Sequence, residues 1–197
     1  MADLFHERIP AASIQMVFNA MLEAPQHKYL ILTKRPHVAV RMQKSGQLPI
    51  ELPVNFWFGV TIEDSGHEYR FDHLLKFRAR HRFVSLEPML SEIKLPVLHS
   101  IDWVIAGHEK GGPENRRIPN AAFKSLRDQC IADDVPFFLK QMWVKDKLVK
   151  MPKLDGVVWD QLPIELRSRK PTKPLMTSCP VMRDDDLGTT MPMEVSH

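Results

Sequence analysis

Several features that would assign a sequence quickly are scarce in this one. There are two cysteines, Cys130 and Cys179. They lie far apart and fit neither a disulfide framework nor a CxxC metal pattern, which points to a reducing, cytoplasmic setting. No apolar run approaches the ~18 residues that cross a bilayer. Residues 1–20 lack the basic start and unbroken apolar stretch of a secretory signal. The formal charge is only +3, and Lys and Arg are dispersed instead of gathered in a tract. That balance allows an anionic partner but gives nucleic acid no independent support. Neither the dinucleotide nor the Walker phosphate pattern occurs, and no internal repeat stands out.

What the chain does have is enough apolar residue for one core and a regular rhythm of elements. At 197 residues, 44% apolar and 26% charged, it suits a single globular domain followed by a tail. Ile14, Val17, Phe18, Met21 and Leu22 recur on one helix face, and Pro25 closes that helix. Strands are expected at 29–33, 56–61, 82–86, 102–106 and 137–140. Helices between them begin at Pro36, run near 65–78, and start from a cap at Asn120. Strands that are apolar at every position, not at alternate ones, belong to parallel sheets covered on both faces. The reading is an α/β fold, a partial or complete (β/α) barrel of TIM type with parallel strands. It is favoured over a doubly wound sheet because every strand ends in polar residues. The stretch "KLDGVVWDQLP" adds a small hairpin turning at Asp155-Gly156, and residues 164–197 read as a linker and disordered tail.

The strand ends carry the candidate chemistry. They deliver Thr33, Lys34 and Arg35; Thr61 and Glu63; Ser85 and Glu87; Gly107, His108 and Glu109; and Lys140 and Gln141 to one mouth. Such a mouth would grip a small, multiply charged ligand. Arg35 can fork two bonds to a carboxylate or phosphate, while Lys34 and Lys140 act as point charges. Glu63, Glu87 and Glu109 suit an ammonium or ribose hydroxyls, and Gly107 lets backbone approach a ligand. The competing reading is a set of structural ion pairs between neighbouring strand ends. Pro36 and Pro88 hold the charged residues before them extended. Asp3, His6 and Glu7 make an odd metal set and read as hydrated residues capping the first helix. His108 beside Glu109 could be an acid–base pair, although adjacent strand residues face opposite ways. Cys130 reads as an inert core thiol, and Phe56, Trp57, Phe58, Trp103, Phe137 and Phe138 read as core.

The ordered series "MADLFHE", "LTKRP", "FWFGVTIED", "RFVSLEPML", "DWVIAGHEKGG", "SLRDQC", "PFFLKQMW" and "LDGVVWDQLP" resembles a phage-associated family of uncharacterised bacterial proteins over residues 1–163. That family is distantly related to the radical S-adenosylmethionine enzymes. The resemblance implies a TIM-type barrel with S-adenosylmethionine and a [4Fe–4S] cluster as cofactors, and makes Glu109 the partner of the cofactor's ammonium. It also implies a preceding segment with a three-cysteine motif and the first barrel strands, which is missing here. The chain is therefore expected to be the C-terminal part of such a barrel, and two cysteines cannot supply three thiolates. Where relatives show Gly-Gly-Glu-Ser, this chain has Gly107-His108-Glu109-Lys110.

A barrel cut in this way should leave unpaired edges at strands 29–33 and 137–140, open to self-association or a partner chain. On this reading the chain alone is catalytically silent. Two alternatives stand beside it: a cluster-free module binding a nucleotide or phosphate ligand, and a barrel hydrolase using a glutamate pair such as Glu63 and Glu87.

Overall fold

A computed structural model describes residues 3–111 and 116–167 of the chain. The expected tail from residue 168 onward lies outside the described residues. Helix α1 (Ala11–Glu23) precedes β1 (Tyr29–Thr33), α2 (Pro36–Lys44), β2 (Phe56–Thr61), α3 (Tyr69–Lys76) and β3 (His81–Leu86). Then follow β4 (Trp103–Gly107), α4 (Asn120–Ala132), β5 (Phe137–Val144) and β6 (Lys147–Lys150). A separate hairpin, β7 (Lys153–Leu154) and β8 (Val157–Val158), turns at Asp155 and Gly156, both at positive φ, as a two-residue primed turn requires. The main sheet runs β1-β2-β3-β4-β5-β6, parallel through β5, with β6 antiparallel at its end. It is a curled, six-stranded half-barrel.

The two faces of the sheet are both apolar, which is why its strands read as continuous runs. Against the helices, Ile31, Phe56, Phe58, Val60, Val84, Val104, Phe137 and Leu139 join the main core. Phe5 is fully buried there, edge-on to Phe18 of α1 at 6.2 Å and to Phe58 at 6.0 Å. It anchors the N-terminal segment by burial worth ~1.5–3 kcal/mol. On the concave face Trp57, Phe83 and Trp103 form a second cluster, and Leu162 and Leu166 from the chain beyond β8 cover it. Gly59 sits beneath the Phe83 ring.

Three expectations change. The strand at 137–140 extends to Val144 and is not an open edge. Lys145 and Asp146 both take positive φ, turning the chain so that β6 pairs with Gln141–Val144. Trp159 and Gln161 meanwhile hydrogen-bond to Leu139 and Phe137. Lysine is a weak signal for such a turn, so the hairpin is hidden in the sequence. Asn120 does not cap α4: it is the first helical residue, Pro119 holds the cap position, and no side chain caps the end. The helix expected near 65–78 is a 3₁₀ turn (Ser65–His67) followed by α3, because Asp64 accepts from the Gly66 N–H and tightens the turn. At the other side, β1 has β2 as its one strand partner among the described residues.

A methyl group at Gly59 would stand 2.4 Å from the Phe83 ring, which is confined by its aromatic neighbours. Gly59→Ala should therefore destabilise the fold by ~1–3 kcal/mol, measured by urea unfolding, while Gly46→Ala, in open space, tests only the cost of positive φ.

Candidate functional site

Parallel pairing carries the C-terminal ends of β1, β2 and β3 to one rim beside the middle of β5, where they border a cleft of about 730 Å³. Thr33, Lys34, Arg35, Thr61, Ser85, Glu87 and Lys140 line it, with Asp3 and His6. Thr61 and Ser85 are register partners and continue the concave face above Gly59 and Phe83. Lys140 reaches the cleft through a bulge. Ala106 pairs with Leu139 and Gly107 with Gln141, so Lys140 is the extra residue, and the ladder aims it outward from the wall.

Every cation of the rim meets a carboxylate. Lys34 pairs with Glu63. Arg35 Nη1 lies 3.1 Å from Asp3, with Glu7 3.7 Å from its Nε. Lys140 Nζ is 3.1 Å from Glu87, which also accepts from the Ser85 hydroxyl at 3.3 Å. Gly107 leaves room here: a side chain's Cβ would stand 3.2 Å from Glu87 Oε1 and 3.3 Å from the Gln141 carbonyl, so those neighbours would have to shift slightly.

Asp3 is the most heavily bonded group of the rim. Its carboxylate accepts from Thr33 Oγ1 at 2.8 Å, the Lys34 N–H at 2.9 Å, the Phe5 N–H at 3.0 Å and Arg35. Burial alone would raise its pKa, but these four donors together outweigh it and hold the carboxyl below its ordinary value. Glu63 follows the same rule. Desolvation raises its pKa, and Lys34 with the buried Arg70 more than reverses the shift. Arg70, at the start of α3, bonds both Glu63 and the Thr61 carbonyl.

The glycine-rich turn after β4 behaves differently. His108 is 3% exposed and stands edge-on to Phe123 at 4.7 Å. Its Nδ1 accepts from the Trp143 N–H at 3.1 Å, so Nε2 carries the proton and donates to the Ile118 carbonyl at 3.1 Å. Burial lowers its pKa, with Ile118 opposing and Arg117 adding to the shift. This is a neutral, packed ring. Glu109 pairs with Arg116 at 3.3 Å, and the Gln141 amide donates to the His108 carbonyl at 2.8 Å. Glu109 and Gln141 therefore brace the turn and are not among the residues lining the cleft.

The structure thus brings Lys34, Arg35, Glu87 and Lys140 together, with Glu63 directly behind Lys34. Sequence reading missed the Asp3 clamp, because nothing local ties it to a strand thirty residues on. It also missed Arg70, whose place beside Phe71 on a buried face was the one available hint.

The Asp3 and Glu63 carboxylates bind protons less readily in the folded chain than in the unfolded one. Their contribution to stability is complete above the ordinary carboxylate range and is lost as pH falls through their lowered folded values. Asp3→Asn should cost ~1–3 kcal/mol at neutral pH. The gap from wild type should close below about pH 4, read from denaturant melts across pH.

Among the described residues no helix is long and apolar enough to cross a membrane. No curated protein and no solved structure matches the chain. One family does match, over residues 1–163, and the chain belongs to it: the family described as "Protein of unknown function (DUF5131)".

Proposed function

We propose that the rim cleft binds a small zwitterionic molecule, with S-adenosylmethionine as the representative of its class, and that the chain does so without an iron–sulfur cluster of its own. The supporting observation is the alternation of charge: Lys34 with Glu63, Arg35 with Asp3, Lys140 with Glu87. A ligand bearing both a carboxylate and a cationic centre can exchange places with these pairs and leave no buried charge unmatched. A purely anionic phosphate would take Lys140 from Glu87 and leave that carboxylate without a cation among the described residues, whereas Glu63 keeps Arg70 and Asp3 keeps its N–H and hydroxyl donors. The cleft volume lies within the range of small-ligand sites. Thr33, Thr61 and Ser85 add hydroxyls suited to ribose or amino-acid groups.

The resemblance to proteins related to radical S-adenosylmethionine enzymes implies both that ligand class and a cluster, and the cysteines of this chain do not fit the cluster. Cys130 is fully buried on the packing face of α4, and burial, with Asp133 adding to it, pushes its thiol up to about 12. A protonated core thiol is no thiolate ligand, and one further cysteine cannot complete a set of three. No reaction step is assigned to this chain through a cluster. In the barrel reading its residues would hold and orient the ligand, with cluster chemistry supplied from outside these residues. A glutamate-pair hydrolase is served less well, since Lys34 and Arg70 keep Glu63 ionised and unfit to donate a proton.

Calorimetric titration tests this. S-adenosylmethionine should bind saturably and more tightly than ATP or inorganic phosphate. Lys140→Ala should weaken it about tenfold or more without changing the melting curve, the scale expected for one charged hydrogen-bonding partner. Preference for ATP or phosphate would move the assignment to an anion site, and reductive release of 5′-deoxyadenosine by the purified chain would overturn its catalytic silence.

A further inference from the structure

The cations scattered through the sequence are not scattered on the folded surface. In α2, His37, Arg41 and Lys44 fall at i, i+4 and i+7, and in α3, Tyr69, His73 and Lys76 repeat the same spacing. The helices lie side by side, and the two rows border one groove between them, with the His37 and His73 rings 6.0 Å apart. A second hollow shares Lys44 and Lys76 and adds Arg78, and a third continues from Arg78 to Arg80. Gln43 fixes this junction. Its amide donates to the Arg78 carbonyl at 3.1 Å and accepts from the Arg78 N–H at 2.8 Å, which ties the end of α2 to the α3–β3 turn.

This band differs from the rim in being uncompensated. Arg41, Lys44, Lys76, Arg78 and Arg80 are exposed, and none forms an ion pair with a described residue. Elsewhere Arg117, Lys124, Arg127 and the rim cations all have carboxylate partners. Asp72 lies near His73, and Glu51 borders the third hollow with Arg78 and Arg80 without forming an ion pair with either. The positive field is felt within the groove: desolvation first, then Lys76, His37 and Lys44, lower the His73 pKa, against the opposing charge of Asp72. His73 Nδ1 has no hydrogen-bond partner among the described residues.

Rings accompany the charges. His67 and Tyr69 stand 6.4 Å apart, Tyr69 and His73 6.4 Å, and His73 and His37 6.0 Å. Tyr69 is half exposed. A run of accessible rings beside unpaired cations is the combination that holds single-stranded nucleic acid, bases stacking on rings while phosphates meet the charges. A duplex would use the charges and leave the rings idle.

We infer that the α2–α3 groove and the α3–β3 turn form a binding surface for single-stranded nucleic acid, with Arg41, Lys44, Lys76, Arg78 and Arg80 meeting the phosphates and Tyr69, His73 and His37 offering stacking faces. This surface is separate from the rim cleft and does not depend on what the cleft binds.

Fluorescence anisotropy of the full chain with labelled single-stranded DNA and RNA of mixed sequence tests the surface. Binding should weaken with salt, with a log–log slope of about −2 for three phosphates neutralised and about −3.5 for five. Arg41→Glu/Lys44→Glu/Lys76→Glu, all at exposed positions, should weaken it about tenfold or more with an unchanged circular dichroism spectrum. Tyr69→Ala should weaken it about fivefold or more while leaving the salt slope in place. The β6 hairpin is the competing basic surface, so Lys147→Glu/Lys150→Glu serves as the control and should bind as wild type. The inference is overturned by absence of binding, by a triple variant that binds normally, or by loss of binding in the hairpin variant instead. Equal affinity for duplex with a silent Tyr69→Ala overturns the single-strand assignment. Capture by phosphatidylserine vesicles that exceeds the nucleic-acid signal and is lost in the same triple variant reassigns the surface to membranes.

Discussion

Five strands paired in parallel run toward the same rim, β5 continuing past it to Val144, and that constraint governs the rest of the molecule. The central strands β2, β3 and β4 are almost wholly buried, which leaves little place for a charge along their length, and polar residues gather where they leave the sheet. Charges concentrated at one rim of a low-dielectric wall are costly unless matched. The rim answers with carboxylates: Asp3 for Arg35, Glu63 for Lys34 and Arg70, Glu87 for Lys140. These pairs hold the strand ends together, and under the proposed function they are also the groups a ligand of matching charge would meet.

The Asp3 clamp shows how far the dependence extends. Phe5 drives the N-terminal segment into the core, and that burial places Asp3 where three consecutive residues of the β1 end can donate to it. Thr33 in turn accepts from the Arg35 N–H at 2.8 Å, setting the direction in which the chain leaves the strand and enters α2. The helix that carries His37, Arg41 and Lys44 is thus aimed from the rim. The uncompensated band on the outer helices and the compensated cleft at the strand ends are two outcomes of one scaffold, differing in whether acidic residues fall nearby.

Much of the fold was legible because parallel burial writes itself as unbroken apolar runs: "YLILT", "FWFGVT" and "RFVSL" sit within a residue of the strands observed. The β6 hairpin was not, because its turn uses Lys145 and Asp146 at positive φ in place of the usual Asn-Gly signal. That Lys34, Arg35, Glu87 and Lys140 border one cleft was readable from their positions along the strands. Glu109 and Gln141 were placed at the same mouth, but a strand end says only where the backbone goes. The turn after β4 directs Glu109 toward Arg116, and Gln141, on β5, donates to the His108 carbonyl.

Local pattern by itself determined where the parallel strands and the main helices lie and that charge collects near the strand ends, since periodicity and burial act over a few residues. Tertiary structure alone decided the partners. Asp3 meets Arg35 across thirty-two residues, and Lys140 enters the cleft because the ladder slips by one residue beside Gly107. The cations of α2 meet those of α3 because two helices that follow adjacent parallel strands must lie side by side. Distances between charges set whether they cancel or add, and no distance of that kind is written in the order of residues along the chain.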